Sequence, residues 1–184
     1  VSIITVVYNR ADVVRDAIES VLTQKYEDIE YIIIDGGSTD GTMNVINEYK
    51  NRVYKIISEP DHGLYDAINK GIKIATGDVI GIIHSDDFYI DNYVVQRVVD
   101  EFKTKKVFAV FADLLFIKGN DRKKVLRYYS AKKFKIEKLK YGFMPPHPTL
   151  FIKKEVYEKH GLYKTDYKIA ADFEIFVRFL LVNK

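Results

Sequence analysis

Four runs of aliphatic, largely β-branched residues recur through the first half of this chain: Val1–Tyr8, Glu30–Asp35, Val53–Ser58 and Val79–His84. Each is apolar almost without interruption, the pattern of a strand buried on both faces rather than one. Between the first two, over roughly Ala11–Thr23, Val14, Ala17, Ile18, Val21 and Leu22 recur at helical spacing, with Asn9 or Asp12 placed to cap that helix. Gly36-Gly37-Ser38-Thr39-Asp40-Gly41 turns the chain into a second helix ending near Tyr49, and Leu64–Ala75 supplies a third. Strand and helix alternating at this spacing predict an α/β fold, a mostly parallel central sheet with helices on both faces and right-handed crossovers. Such sheets bind ligands beyond the carboxyl ends of their strands. Asn9, Arg10, Asp35, Ser38, Asp40, Asp61, His62, Asp86 and Asp87 all follow strand ends, so the polar chemistry is predicted to gather on one edge.

The second half is less regular. Tyr93–Phe102 reads as helix, Val107–Lys118 as one or two strands, Phe151–His160 as strand plus helix and Ala171–Val182 as helix. Three prolines within Met144-Pro145-Pro146-His147-Pro148 impose an extended path and hold His147 on a stiff loop. That histidine either covers a ligand or serves the fold. Lys118–Lys140 carries ten Lys/Arg against Asp121 and Glu137. It reads either as a solvated face or, because Tyr128, Tyr129, Phe134 and Tyr141 interleave the charges, as a contact for an anionic bilayer or a lipid diphosphate. No linker or repeat divides residues 1–184, which are expected to form one catalytic domain. The chain opens directly in a strand and stops inside a helix pattern, so a C-terminally trimmed piece of a longer protein is expected. With 184 residues a sizeable core is available. The absence of cysteine rules out disulfides and thiolate metal sites and fits a cytoplasmic location. A net charge of +3 gives no case for nucleic acid, and no apolar run reaches the roughly 20 residues that span a bilayer.

The sharpest chemical signal is Val79-Ile80-Gly81-Ile82-Ile83-His84-Ser85-Asp86-Asp87, a buried strand running into adjacent carboxylates. Two neighbouring acids repel, and a hard divalent cation bridging to phosphate oxygens neutralises them. The alternative is an ordinary Asx turn. Asp35 precedes small residues that admit a flat ligand, and its carboxylate can accept a bond from a ring N–H; Ser38 and Asp40 read instead as helix caps. Asp61 is placed to contact base or ribose. Lys70 either approaches phosphate or pairs with Asp66 one turn earlier. His84 reads as packing at the sheet edge and Arg178 as the partner of Glu174.

In order and spacing, Thr5-Val6-Val7-Tyr8-Asn9-Arg10, Asp35-Gly36-Gly37-Ser38-Thr39-Asp40-Gly41-Thr42 and Ser85-Asp86-Asp87 resemble the family 2 glycosyltransferases of GT-A fold. The resemblance implies a nucleotide-sugar donor, usually a UDP-sugar, with Mg²⁺ or Mn²⁺. It also implies inverting transfer to the hydroxyl of a glycan or lipid-linked acceptor, as in cell-surface polysaccharide synthesis, at the inner face of the cell membrane if the basic segment meets lipid. By the same resemblance Tyr8 and Asp35 line the uracil pocket, Asp86 lies near the ribose, Asp87 is the metal ligand and Asp172 is the catalytic base. Where the commoner pattern reads Asp-Asp-Gly-Ser, this chain has Asp35-Gly36-Gly37-Ser38, and Ala171 stands where the acid before the base is usual. Two rivals remain. A catalytically silent sugar-nucleotide-binding module would have no use for Asp172. A nucleotidyltransferase would open with a glycine-rich loop where this chain has Tyr8-Asn9-Arg10.

Overall fold

The computed structural model describes residues 1–119, 121–167 and 169–181, apart from the side chains of Arg122 and Lys123. The first half follows the predicted rhythm: β1 (Ser2–Val7), α1 (Val14–Leu22), β2 (Glu30–Asp35), α2 (Thr42–Asn47), β3 (Lys55–Ser58), α3 (Leu64–Ile74), β4 (Val79–His84) and α4 (Val94–Thr104). The second half adds β5 (Ala109–Val110), β6 (Leu114–Lys118), β7 (Asp121–Tyr129), β8 (Phe151–Lys153), α5 (Lys154–His160) and α6 (Ala171–Leu181).

Six strands form one sheet in the order β3-β2-β1-β4-β8-β5. The first four run parallel, with Val7 opposite Asp35, Asp35 opposite Ser58, and Val6 opposite His84. Their carboxyl ends therefore share one edge, as the alternation predicts. β8 and β5 are antiparallel additions on the far side of β4. A Cβ at Gly81 would lie 2.5 Å from the Phe151 ring, so the absent side chain in β4 is what admits β8 at this register.

Successive strand residues serve opposite layers. Ile4, Val6, Ile32, Ile34, Ile80 and Ile82 pack against Ala67, Ile68 and Ile72 of α3 and against α5 and α6. Ile3, Val7, Tyr31, Ile33 and Ile83 pack against α1, α2 and α4. The phenol of Tyr31, buried in the sheet, shares a 2.9 Å hydrogen bond with the Thr5 hydroxyl, so neither of these two groups is stranded.

Four local expectations are revised. Neither Asn9 nor Asp12 caps α1; the Val13 and Val14 amides reach back to the Arg10 carbonyl at 3.2 and 3.0 Å, and Val13 stands at the cap position. Ser38 does not cap α2, because its hydroxyl accepts from the Asn9 amide at 2.8 Å. The third strand begins at Lys55 rather than Val53. The basic segment is not simply a solvated face. Through β7 it pairs with β6 as a separate two-stranded ribbon, and it then buries Leu139 in the main core. Among the described residues no helix is long and apolar enough to cross a membrane.

Candidate active site

The strand order reverses between β2-β1 and β4, and there a cavity of about 280 Å³ opens at the carboxyl edge. Val6, Val7, Tyr8 and Arg10 line it from the end of β1, and His84, Ser85 and Asp86 from the end of β4. Asp61, Gly63, Leu64 and Ala67 close it from the β3–α3 side. The loops after β1 and β2 are laced together across some thirty residues of sequence. Asn9, in the left-handed region at φ 51°, accepts the Thr39 amide at 2.8 Å, and Thr42 Oγ1 accepts the Arg10 amide at 2.8 Å. Side chains bonded to backbone in this way hold irregular loops as firmly as a ladder holds strands.

Asp35 is fully buried. Its Oδ2 accepts from the Gly37 and Ser38 amides at 3.1 and 3.0 Å and from the Ser58 hydroxyl at 2.6 Å. Its Oδ1 has no hydrogen-bond partner. A buried acceptor left without a donor is costly and calls for explanation. Beside it a Cβ at Gly36 would lie 2.5 Å from Asp61 Oδ2 and 3.4 Å from the Tyr8 ring, so Tyr8, Gly36 and Asp61 form a close-set group. Asp61 is itself fixed through Oδ1, which accepts the Gly63 amide at 2.8 Å.

Asp86 is exposed on the cavity wall and Asp87 is half-buried behind it. Burial first, and then the Asp86 charge, push the Asp87 carboxyl up to about 6, partly countered by His147. Among the described residues no three His, Cys, Asp or Glu converge on one point. The donor set still suits Mg²⁺ or Mn²⁺. Magnesium commonly takes one or two carboxylates and completes its shell with water and substrate phosphate. A carboxylate destabilised by burial and by a neighbouring like charge gains most from a cation.

Asp172 lies in the first turn of α6 and is gripped from two sides. Its Oδ2 is 3.2 Å from His147 Nδ1, and its Oδ1 accepts the Tyr65 hydroxyl at 3.3 Å. Burial lowers the His147 imidazole, an effect the Asp172 charge opposes. His147 in turn faces His84 edge-on at 6.0 Å, which places Asp172 one side-chain layer behind the cavity wall. His84, expected to be sheet-edge packing, lines the cavity.

Lys70 forms the ion-pair alternative. Its ammonium meets Glu59 at 2.9 Å, the Pro60 carbonyl at 3.1 Å and Asp66 at 3.7 Å, and it is absent from the cavity wall. Arg178 pairs with Glu174 at 2.8 Å, as its spacing indicates. Sequence reasoning gave no role to Tyr65, nor to Arg10 as part of the cavity wall. The contact from Tyr65 to Asp172 spans 107 positions, and no local pattern signals it.

The pattern of the family described as "Glycosyl transferase family 2" matches residues 2–161. An uncharacterized glycosyltransferase of Mycobacterium tuberculosis is 34% identical over 187 residues, covering 99% of this chain and 69% of the relative. Staphylococcus aureus TarS in complex with UDP-GlcNAc superposes with a TM-score of 0.78 at 17% identity, over 98% of this chain and 53% of TarS. The mannosyltransferase PcManGT of Pyrobaculum calidifontis, in complex with GDP-Man and Mn²⁺, superposes at 0.74 with 21% identity, over 97% of this chain and 51% of its own. The chain thus spans about half the length of the solved structures it matches, and at these identities the likeness speaks to the fold.

Proposed function

This chain belongs to glycosyl transferase family 2 and has the GT-A fold, and on that premise we propose that it moves a sugar from a nucleotide-sugar, a UDP-sugar first, to a hydroxyl of a glycan or lipid-linked acceptor with inversion. The observation that carries this is the convergence at the switch-point cavity: Asp86 on its wall, Asp87 behind it, and a doubly held Asp172 beyond the facing histidines. Residues 1–184 act in this reading as one catalytic domain.

The nucleobase stacks at Tyr8, and the buried, unpartnered Asp35 Oδ1 accepts a ring N–H once the close-set Tyr8, Gly36 and Asp61 group gives way; Asp61 faces the base or ribose. Asp86 lies toward the ribose, while Arg10 presents a cation to the same cavity. Asp87, with Asp86, would hold Mg²⁺ or Mn²⁺, which as a Lewis acid offsets the charge of a departing diphosphate. Lys70 reaches phosphate in this scheme only by leaving Glu59 and Asp66. Asp172 takes the proton of the acceptor hydroxyl as it attacks the anomeric carbon from the face opposite the diphosphate. A single displacement of this kind inverts the anomeric centre. His147, whose imidazole burial lowers, sits with Nδ1 3.2 Å from Asp172 Oδ2 and confines the carboxylate on that side.

The basic ribbon supports a peripheral setting. Phe116, Leu126 and Tyr128 are exposed on β6 and β7 among Lys118, Lys124 and Arg127, a composition suited to an anionic bilayer that carries a lipid-linked acceptor.

Thermal melts with UDP-, GDP-, TDP- and CMP-sugars, with and without Mn²⁺, test the donor. One UDP-sugar is expected to stabilise the protein, more so with the metal. Asp87→Ala is expected to abolish metal-dependent turnover with the fold intact, and Asp172→Asn to bind donor without transferring it. Donor binding by the unaltered protein with neither transfer nor hydrolysis would make it a silent binding module instead.

A further inference from the structure

Tyr65 stands outside every motif that pointed to this site, yet it touches Asp172 and is braced from behind. Its ring stacks on that of Tyr163, with centroids 5.7 Å apart and planes 10° from parallel. Tyr163 is buried, and its backbone is clamped in both directions by the buried Asn69 side chain. Asn69 Nδ2 donates to the Tyr163 carbonyl at 2.7 Å, and Asn69 Oδ1 accepts the Tyr163 amide at 2.9 Å. Asn69 and Tyr65 both belong to α3, so the helix grips the Tyr163 loop at one point and stacks on it at another. The outcome of this bracing is the 3.3 Å hydrogen bond from the Tyr65 hydroxyl to Asp172 Oδ1. Burial first, and then the Asp172 charge, raise the Tyr65 phenol above its ordinary value, so it stays a donor. On the other side α6 begins at Ala171, one residue before Asp172 and directly after Ala170, whose φ of 71° is a strained setting for a residue with a side chain.

We propose that Tyr65, braced by Tyr163 and Asn69, is a positioning residue that fixes the rotamer of Asp172, with His147 holding the other carboxylate oxygen. This rests on the reading of Asp172 as the base. A carboxylate on a single bond to Cβ swings freely; a hydroxyl donor on Oδ1 and an imidazole nitrogen 3.2 Å from Oδ2, supplied by two independent elements, leave it one orientation. Tyr65 also follows Leu64, which lines the cavity, so the first turn of α3 joins the donor wall to the base.

Tyr65→Phe removes the hydroxyl and keeps the stacked ring. It is expected to lower kcat for transfer roughly tenfold, the scale of one hydrogen bond to a charged group. KM for the donor and donor-induced thermal stabilisation should stay unchanged. Tyr65→Leu, which loses the stack as well, should lose more kcat. An unchanged kcat in Tyr65→Phe, or kcat and donor affinity falling together, overturns the positioning role. Asp172→Asn is measured alongside. Transfer surviving there removes the base and this proposal with it, whereas loss there beside ordinary kinetics in Tyr65→Phe overturns the positioning role alone.

Discussion

At the scale of single residues, the site depends on small changes in space and on two unusual backbone settings. Gly36 has no conformational need to be glycine; what it supplies is room, since a Cβ there would lie 2.5 Å from Asp61 Oδ2. Gly36→Ala should turn the Asp61 carboxylate and break its bond to the Gly63 amide. We expect donor affinity, measured by calorimetric titration, to fall several-fold while the melting temperature holds, because the displaced group is the flexible end of a side chain. A matching drop in melting temperature would place the effect in the fold. Ala170 is the converse, a residue with a Cβ in a left-handed setting. Glycine there relieves about 1–2 kcal/mol of strain and adds about 0.5–1 kcal/mol of unfolded-chain entropy. Ala170→Gly should therefore raise the urea midpoint slightly while lowering kcat, because the entry to α6 that aims Asp172 is freed. Higher stability with undiminished kcat would show that the strain has no part in catalysis.

At the scale of elements, Glu30 at the head of β2 ties three segments. Its carboxylate accepts from the Ser2 hydroxyl and from the Thr76 amide and hydroxyl, the last two at 2.8 and 2.7 Å. Burial alone would raise this carboxyl, but the hydrogen bonds outweigh it and hold it below its ordinary value. A depressed carboxyl contributes stability above its unfolded value, and that contribution is lost as pH falls through the folded one. Glu30→Gln should thus destabilise the protein at pH 7 by about 1 kcal/mol. The gap to the unaltered protein should close in urea melts taken progressively below pH 4.5. A gap independent of pH would mean shape, not charge, is what the site needs. Which elements were legible in the sequence follows the same physics. β1, β2 and β4 are buried on both faces, so burial wrote itself into continuous apolar runs. β8 is three residues long and takes its partner from the space at Gly81, which no run of β8 itself records. The caps were misread because Asn9, Ser38 and Thr42 spend their side chains on each other's loops, about thirty positions away. Asp86, Asp87 and Asp172 stand out by motif, but the grip on Asp172 from Tyr65 and His147 is made only by folding.

At the scale of the whole molecule, charge is unevenly placed. The net charge is only +3, yet residues 118–140 hold ten Lys/Arg and two acids, so the remainder of the chain is net negative. In the proposed reading a phosphate-bearing donor is met locally by Arg10 and a cation, and the basic ribbon serves a different contact. Among the described residues, Lys118, Lys124 and Arg127 make no salt bridge; Arg127 instead lies over the Phe116 and Tyr129 rings at 5.7 and 5.8 Å. The ribbon joins the body through the Tyr129 hydroxyl, which donates to the Met144 carbonyl at 3.0 Å, three residues before His147. A surface held there would bring a lipid-linked acceptor to the side of the molecule that carries the base. Vesicles of anionic phospholipid should sediment the protein at low salt and release it as salt rises, since basic residues contribute about 1 kcal/mol each near such a surface and are screened within about 10 Å at 0.1 M. Lys124→Glu with Arg127→Glu should abolish sedimentation, and Leu126→Asn, which leaves the net charge unchanged, should weaken it, while turnover of a short soluble acceptor is unchanged in both. Failure to sediment with anionic vesicles at low salt would remove the membrane from the account, and sedimentation equal on neutral and anionic vesicles would leave the ribbon's charge without a part in it.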